Sequence, residues 1–389
     1  MKEVFLIAGR RTPIGSFMGQ LSTVSAPQLA SVVIKDLLQK HDIKGDSVEE
    51  VIMGEVLTSG VGQAPARQAT LFSNLPESTP ALTINKVCGS GLMALILASL
   101  KVMTDERKLL LAGGMENMSL APHLLPQSRT GVRYGAGKIV DSMQHDGLWD
   151  VYSNRTMGEC AEECSAKFNF TREKQDEFAL KSYQKAITAS EDGSFKDEIS
   201  PVKVEGKKGA TIVEKDEEPT KVNFEKMKTL PSAFIKDGTI TAANASSIND
   251  GAACLIVADE SHRQKAQFKV LSFASHAQNP TWFTTAPIEA MKKASEKAKI
   301  AMQDIELFEI NEAFSNVPMS CVKELEISSN KINIFGGAVA LGHPIGCSGA
   351  RIVVTLMNAM KKKKAKYGMA SLCIGGGEGL AMIIENLNY

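Results

Sequence analysis

The chain has 389 residues, and its 44 Lys+Arg balance 44 Asp+Glu, so composition gives no support to non-specific binding of nucleic acid or an anionic membrane. A hydrophobic fraction of 43% is enough for sizeable cores without disulfides, and the length fits two or three domain-sized units. The seven cysteines are an odd count, no apolar run approaches the roughly 18 residues of a membrane span, and neither end carries a targeting signal; free thiols in a reducing cytoplasm are expected.

In chain order, Val4-Phe5-Leu6-Ile7-Ala8 predicts a buried strand, and so does Val51-Ile52-Met53-Gly54, which is followed by Glu55. A third strand over 81–84 leads into Asn85-Lys86-Val87-Cys88-Gly89-Ser90-Gly91-Leu92, and the apolar run 92–102 predicts a helix. That order places the Cys88 thiol in a tight turn at a helix N-terminus. The glycines clear space for a substrate, and the helix end favours the thiolate, the nucleophilic form. A strand–nucleophile–helix turn suits acyl transfer; a small buried cysteine is the competing reading. Residues 109–116 then predict a strand running into a Gly113-Gly114 turn.

Residues 119–245 break the pattern and predict an inserted loop domain. This stretch holds the charge-rich pieces 203–208 and 215–228, whose plain reading is a solvated surface. It also holds a helix over 172–190, with Phe178, Ala179, Ser182 and Ala186 at helical spacing.

Beyond it the landmarks recur in the same order at nearly the same spacing: a strand over 307–310 before Asn311-Glu312-Ala313-Phe314, a turn Gly346-Cys347-Ser348-Gly349, a helix over 350–360, and a strand entering Cys373-Ile374-Gly375-Gly376-Gly377-Glu378. This order argues for a duplicated unit of alternating strands and helices, with sheets covered by helices. His343 stands among five glycines and is a natural general base for a cysteine; a loop histidine or a phosphate-binding turn also fits, although no Gly-Lys-Ser/Thr follows. Cys373 enters a triple-glycine turn whose N–H groups suit an oxyanion, against a plain core cysteine. Asn311 is a candidate to hold a water or donate to an oxyanion, against an ordinary turn asparagine. Cys160 and Cys164 lack a histidine nearby to complete a metal site, and Cys347 reads as a packed small residue. No dinucleotide fingerprint is present.

Together, residues 10–17, Asn85 to Leu92, Asn244-Ala245-Ser246, Asn249-Asp250-Gly251-Ala252-Ala253, Asn311 to Phe314, Gly342-His343-Pro344 and Cys373 to Gly377 resemble the thiolases, specifically the acetyl-CoA acetyltransferase group. The resemblance spans essentially the whole chain. It implies a five-layer α-β-α-β-α duplicated core: residues 1–118 plus about 246–265 as one half, 119–245 as the loop domain, and 266–389 as the other half. It implies ping-pong condensation of two acetyl-CoA to acetoacetyl-CoA, and the reverse thiolysis. Cys88 would carry the acyl group, His343 would accept its proton, and Cys373 would move the α-proton. Asn311 (through a water) and His343 would face the enolate-like oxygen, with the Cys88 and Gly375 N–H groups at the other oxyanion. Ser246 and Ala245 would meet the pantetheine arm, with Ala313 and Phe314 on the opposite wall, Leu148 and Met157 on the loop-domain side, and Lys221 near the nucleotide. Coenzyme A and acyl-CoA would be substrates, with no permanently bound cofactor or metal, in a homodimer or homotetramer. The group often has His-Met-Gly at Thr156-Met157-Gly158 and Ala-Ser-Gly at Ala245-Ser246-Ser247. The first change keeps a longer-chain 3-ketoacyl-CoA thiolase as an alternative. The decarboxylating ketoacyl synthases differ at Asn311 and Cys373, and a non-catalytic CoA- or lipid-binding protein would have lost one of the reactive residues.

Overall fold

The computed structural model describes residues 2–207 and 209–389; Met1 and Lys208, the end of the charge-rich stretch 203–208, lie outside the described residues. A 10-stranded sheet carries the core. Its main strands are β1 (Val4–Arg11), β2 (Glu50–Gly54), β3 (Ala81–Ile84), β4 (Leu109–Asn117), β5 (Asn249–Ala258), β6 (Phe268–Ala277), β7 (Leu307–Ile310), β8 (Tyr367–Ile374) and β9 (Glu378–Asn386). They pair in the order β7-β8-β9-β6-β1-β5-β4-β2-β3, and the short strand Gly15–Ser16 joins β5. The β2–β3, β2–β4 and β7–β8 pairs are parallel. Every residue of β4 and of β5 is buried, as expected of strands covered on both faces.

The longer helices are α1 (Ala26–Lys40), α2 (Pro65–Phe72), α3 (Ser90–Met103), α4 (Met157–Phe168), α5 (Arg172–Glu191), α6 (Ala286–Ala298), α7 (Asn316–Leu325) and α8 (Ile345–Lys363). α1 and α2 cover the outer face of the first half, and α6, with α7 beside it, covers the outer face of the second. α3 and α8 pack together between the two halves, in the largest apolar cluster. The order of layers is therefore α-β-α-β-α, as expected.

The duplication appears in the strand order. β1-β5-β4-β2-β3 in one half matches β6-β9-β8-β7 in the other, and the isolated parallel bridge Phe308–Ile332 stands in the place of β3. The halves join edge to edge where Val4, Phe5 and Leu6 meet Val270, Lys269 and Phe268.

Gly113-Gly114 does not form the expected turn but lies inside β4. A Cβ on Gly114 would sit 2.1 Å from the Gly346 carbonyl oxygen, so this glycine lets the start of α8 rest on the strand. Gly91 and Gly349 act as a reciprocal pair. A Cβ on Gly91 would lie 2.6 Å from the Ala350 nitrogen, and one on Gly349 would lie 2.4 Å from the Leu92 nitrogen. The two glycines bring the N-termini of α3 and α8 together, and with them the turns that precede each helix.

The helix expected over 172–190 is α5, with Ala179, Ser182 and Ala186 buried on one face. The inserted stretch is tied to β1 by the fully buried Arg11, whose guanidinium bonds Glu198 (2.6 Å) and Asp216 (2.6 and 2.9 Å).

Candidate active site

Four loops meet where the duplicated halves face each other. The first is the turn between β3 and α3. Val87 has φ 46°, a left-handed conformation that is costly for a β-branched residue. Its surroundings hold it there: Asn85 Oδ1 accepts from the Val87 N–H (2.9 Å), and Ser90 Oγ accepts from the Lys86 N–H (2.8 Å) and donates to the Val87 carbonyl (2.7 Å). Cys88 is partly exposed at the tip of this turn. The sequence predicted a favoured thiolate. Instead burial pushes the Cys88 thiol up to about 11, against the pull of the Gly375 and Cys88 backbone N–H groups, with Glu116 adding to the rise. The two N–H groups converge on the sulfur from different halves of the molecule.

The second loop carries His343. Gly342 has φ +103°, and the Asn249 side chain fills the place of its missing Cβ while Asn249 Oδ1 accepts from the His343 N–H (2.9 Å). Ser348 Oγ donates to the Pro344 carbonyl (2.9 Å), so its contact with His343 Nδ1 (2.5 Å) is accepted from an Nδ1–H. Nε2 is left as the basic nitrogen. Burial first, and then Arg351, lowers the imidazole to about 3, so it is neutral at physiological pH. Asn311, from the third loop, places Nδ2 3.4 Å from His343 Nε2, and its buried Oδ1 has no partner among the described residues.

The fourth loop is the β8–β9 hairpin. Cys373 pairs with Gly379 and Ile374 with Glu378, and Gly375, Gly376 (φ +90°) and Gly377 (φ +85°) make the turn. The Cys373 thiol is fully buried and held well above its usual range, by burial first and then by nearby Cys88. A Cβ on Gly375 would meet the Met157 sulfur at 3.2 Å and Val87 Cγ1 at 3.6 Å, so this turn lies against the nucleophile turn.

The candidate CoA residues are gathered in part. Ser246 donates to the Ala313 carbonyl through both its N–H and its hydroxyl (3.0 Å each), and Ala245 bridges Phe314. These four residues therefore form one wall, not the opposite walls expected, because backbone pairing joins their two segments. The Met157 N–H donates to the Leu148 carbonyl (3.0 Å), and Leu148 packs with Cys88 in the cluster of Val56, Leu57, Met143 and Ile345. Lys221 donates to Ser16 Oγ (2.6 Å) and pairs with Glu217 (3.5 Å); among the described residues no hydrogen bond or ion pair joins it to the other candidates. Thr156 is the N-cap of α4, its hydroxyl and N–H engaged with Glu159.

Sequence reasoning missed several residues here. Ser348 sets the tautomer of His343, Asn249 anchors its backbone, and both stand in motifs already quoted. Phe234 packs on Gly158 and edge-on to Phe314 (5.9 Å), with no motif around it in the sequence to mark it. Glu116 accepts from the Val56, Leu57 and Gly346 N–H groups beneath the site. A groove of about 990 Å³ along α5 contains none of the reactive side chains.

A family model described as "Thiolase, N-terminal domain" matches residues 4–261, and one described as "Thiolase, C-terminal domain" matches 264–386. The chain is 45% identical to an acetyl-CoA acetyltransferase of Cupriavidus necator, over 99% of this chain and 100% of the relative. It is also 45% identical to the cytosolic acetyl-CoA acetyltransferase ERG10 of Gibberella zeae, over 100% and 99%. Among solved structures it is similar to the Acat5 thiolase of Ascaris suum in complex with coenzyme A (TM-score 0.94, 41% identity, 99% and 100% covered). It is likewise similar to the Bacillus anthracis acetyl-CoA acetyltransferase (TM-score 0.97, 36% identity, 100% and 99% covered).

Proposed function

We propose, from the premise that this chain belongs to the thiolase family, that it is an acetyl-CoA acetyltransferase working through an acyl-Cys88 intermediate. The observation that supports this reading is a thiol met by two backbone N–H groups, with a second thiol beside it and a neutral imidazole whose Nε2 faces Asn311 Nδ2.

In the first half-reaction His343 takes the Cys88 proton, the sulfur attacks the acetyl-CoA carbonyl, and the CoA thiolate leaves with the proton of Cys373, which becomes the thiolate. A thiol raised by burial calls for a base to take its proton, the part assigned here to His343. The Cys88 and Gly375 N–H groups receive the tetrahedral oxyanion. In the second half-reaction Cys373 removes a proton from the methyl of another acetyl-CoA. The enolate oxygen is held by His343 and by a water on Asn311. The carbanion attacks the acyl carbon on Cys88, the Cys88 thiolate leaves and recovers its proton from His343, and acetoacetyl-CoA is released. Thiolysis runs these steps backwards, with CoA and acyl-CoA as substrates and no resident cofactor.

The wall of Ala245, Ser246, Ala313 and Phe314, with Leu148 and Met157 beside it, would hold the pantetheine arm. Lys221 would reach the nucleotide only after leaving Ser16. The Thr156 hydroxyl is committed to its helix cap, so it gives no separate support to a preference for longer chains.

No helix among the described residues is long and apolar enough to cross a membrane. Together with the relative named as cytosolic, this supports a cytoplasmic enzyme. Self-association as a dimer or tetramer is supported by the outer edge of β3, which pairs with no strand among the described residues, and by the exposed Leu71, Phe72 and Leu82 around it.

The test is turnover of acetoacetyl-CoA and CoA to acetyl-CoA, with mass spectrometry of the trapped enzyme. The wild type should gain an acetyl group on Cys88, and Cys88→Ser should lose turnover by orders of magnitude. A Cys88→Ser enzyme with normal turnover would refute the reading.

A further inference from the structure

The oxyanion pair just described has one donor in each half of the molecule. Its spacing therefore depends on what fixes the β8–β9 hairpin against the nucleophile turn. Apolar packing supplies part of this: a Cβ on Gly89 would lie 2.4 Å from Ile374 Cδ1, so the missing side chain admits the end of β8. The far side of the hairpin is fixed by the Gln278 N–H, which donates to the Gly377 carbonyl (2.9 Å). Between these attachments stand three glycines. Two have positive φ, and a Cβ on Gly376 would touch nothing within 4 Å, so the tip has little side-chain packing of its own to hold it.

One charged link crosses the gap. Lys86, two residues before Cys88, bonds through Nζ to Glu378 Oε2, the first residue of β9 and the register partner of Ile374. Both side chains are partly buried. The backbone of Lys86 is itself part of the turn: its N–H donates to Ser90 Oγ and its carbonyl accepts from the Gly89 N–H (3.0 Å). A pull on Lys86 is therefore a pull on the Cys88 turn, and a pull on Glu378 acts on the hairpin that carries Gly375.

We infer that Lys86 and Glu378 are a positioning pair that sets the distance between the Cys88 and Gly375 N–H donors, and so the rate at which Cys88 takes up an acyl group. The pair touches neither substrate nor reacting atoms in this role. It holds the two donors where the oxyanion forms while the Cys88 sulfur bonds the acyl carbon and the CoA sulfur departs. This rests on the proposed oxyanion role of the two N–H groups.

The experiment compares wild type, Lys86→Gln, Glu378→Gln and the double variant. Single-turnover acylation by acetyl-CoA is followed by mass spectrometry, beside alkylation of Cys88 by iodoacetamide, which needs the thiol but no oxyanion hole. Complete loss of one such donor costs about 100- to 1,000-fold, so a loosened donor should slow acylation about five- to tenfold. KM should stay within about twofold, alkylation should be unchanged, and the double variant should be no slower than the worse single one. Lys86→Arg should retain most of the rate. Wild-type acylation in both single variants, or losses that multiply in the double, would overturn the inference. A parallel fall in alkylation would do the same, since it would mean a general disturbance of the turn. A wild-type protein that takes no acetyl group from acetyl-CoA would instead overturn the proposed function, which keeps the two failures apart.

Discussion

Glu55 lies fully buried at the end of β2, and neither of its carboxyl oxygens has a hydrogen-bond partner among the described residues. Burial first, and then the neighbouring carboxyl of Glu116, pushes it from the ordinary 4.5 up to about 9. Glu116 reaches only about 7, because three backbone N–H groups stabilise its charged form. Glu55 is therefore the residue that keeps its proton through the neutral range. The unfolded chain releases that proton near pH 4.5 and the fold holds it to about 9. The contribution of Glu55 to stability is thus full below 4.5 and declines as pH rises toward 9, by up to about 1.4 kcal/mol per pH unit. Glu55→Gln removes this dependence. Thermal denaturation from pH 5 to 8.5 should show the variant gaining on the wild type as pH rises, and parallel curves would contradict the assignment. His343 has the opposite sign. Its lowered pKa contributes stability that is complete above the ordinary 6.5 and fades as pH falls toward about 3.

At the scale of elements, the active site depends on two helix starts crossing at glycines. Cys88 stands just before α3 and His343 just before α8. Gly349→Ala would place a methyl 2.4 Å from the Leu92 nitrogen and 3.0 Å from its Cβ. Backbone cannot yield as a flexible side chain does, so the helix ends must separate. The expected cost is about 1–3 kcal/mol of stability. Turnover should fall by about tenfold or more, since displacement of this kind between reacting groups is costly. Denaturant unfolding and steady-state rates check both outcomes. A variant with wild-type stability would show that the crossing tolerates a methyl.

At the scale of the molecule, Arg11 joins β1 of the core to the inserted stretch through two buried carboxylates, Glu198 and Asp216. Such a pair is weak evidence for net stabilisation when compared with an apolar replacement of all its members. Removing the cation alone strands two buried charges, at about 3–5 kcal/mol. Arg11→Met should therefore lower the unfolding midpoint sharply. Proteolysis should appear first within residues 119–245, whose attachment to the core is lost. Equal protease resistance of variant and wild type would argue against that role.

The amino-acid sequence by itself determined the strand runs and the duplication, and it marked the candidate reactive residues. Each depends on order close along the chain: apolar stretches the length of a strand, glycines before a helix, and a cysteine or histidine between them. Tertiary structure decided what those residues are chemically. The Cys88 thiol is raised rather than lowered, because burial and Glu116 outweigh the two backbone N–H groups. His343 keeps Nε2 as its basic nitrogen, facing Asn311 Nδ2, because Ser348 is already donating to Pro344. Gly113-Gly114 is strand interior because α8, far along the chain, rests on it. The segments of Ala245-Ser246 and Ala313-Phe314 lie side by side because their backbones pair. Lys86 and Glu378 show the limit most plainly: nothing near either residue in the sequence marks a partner on the other half of the fold.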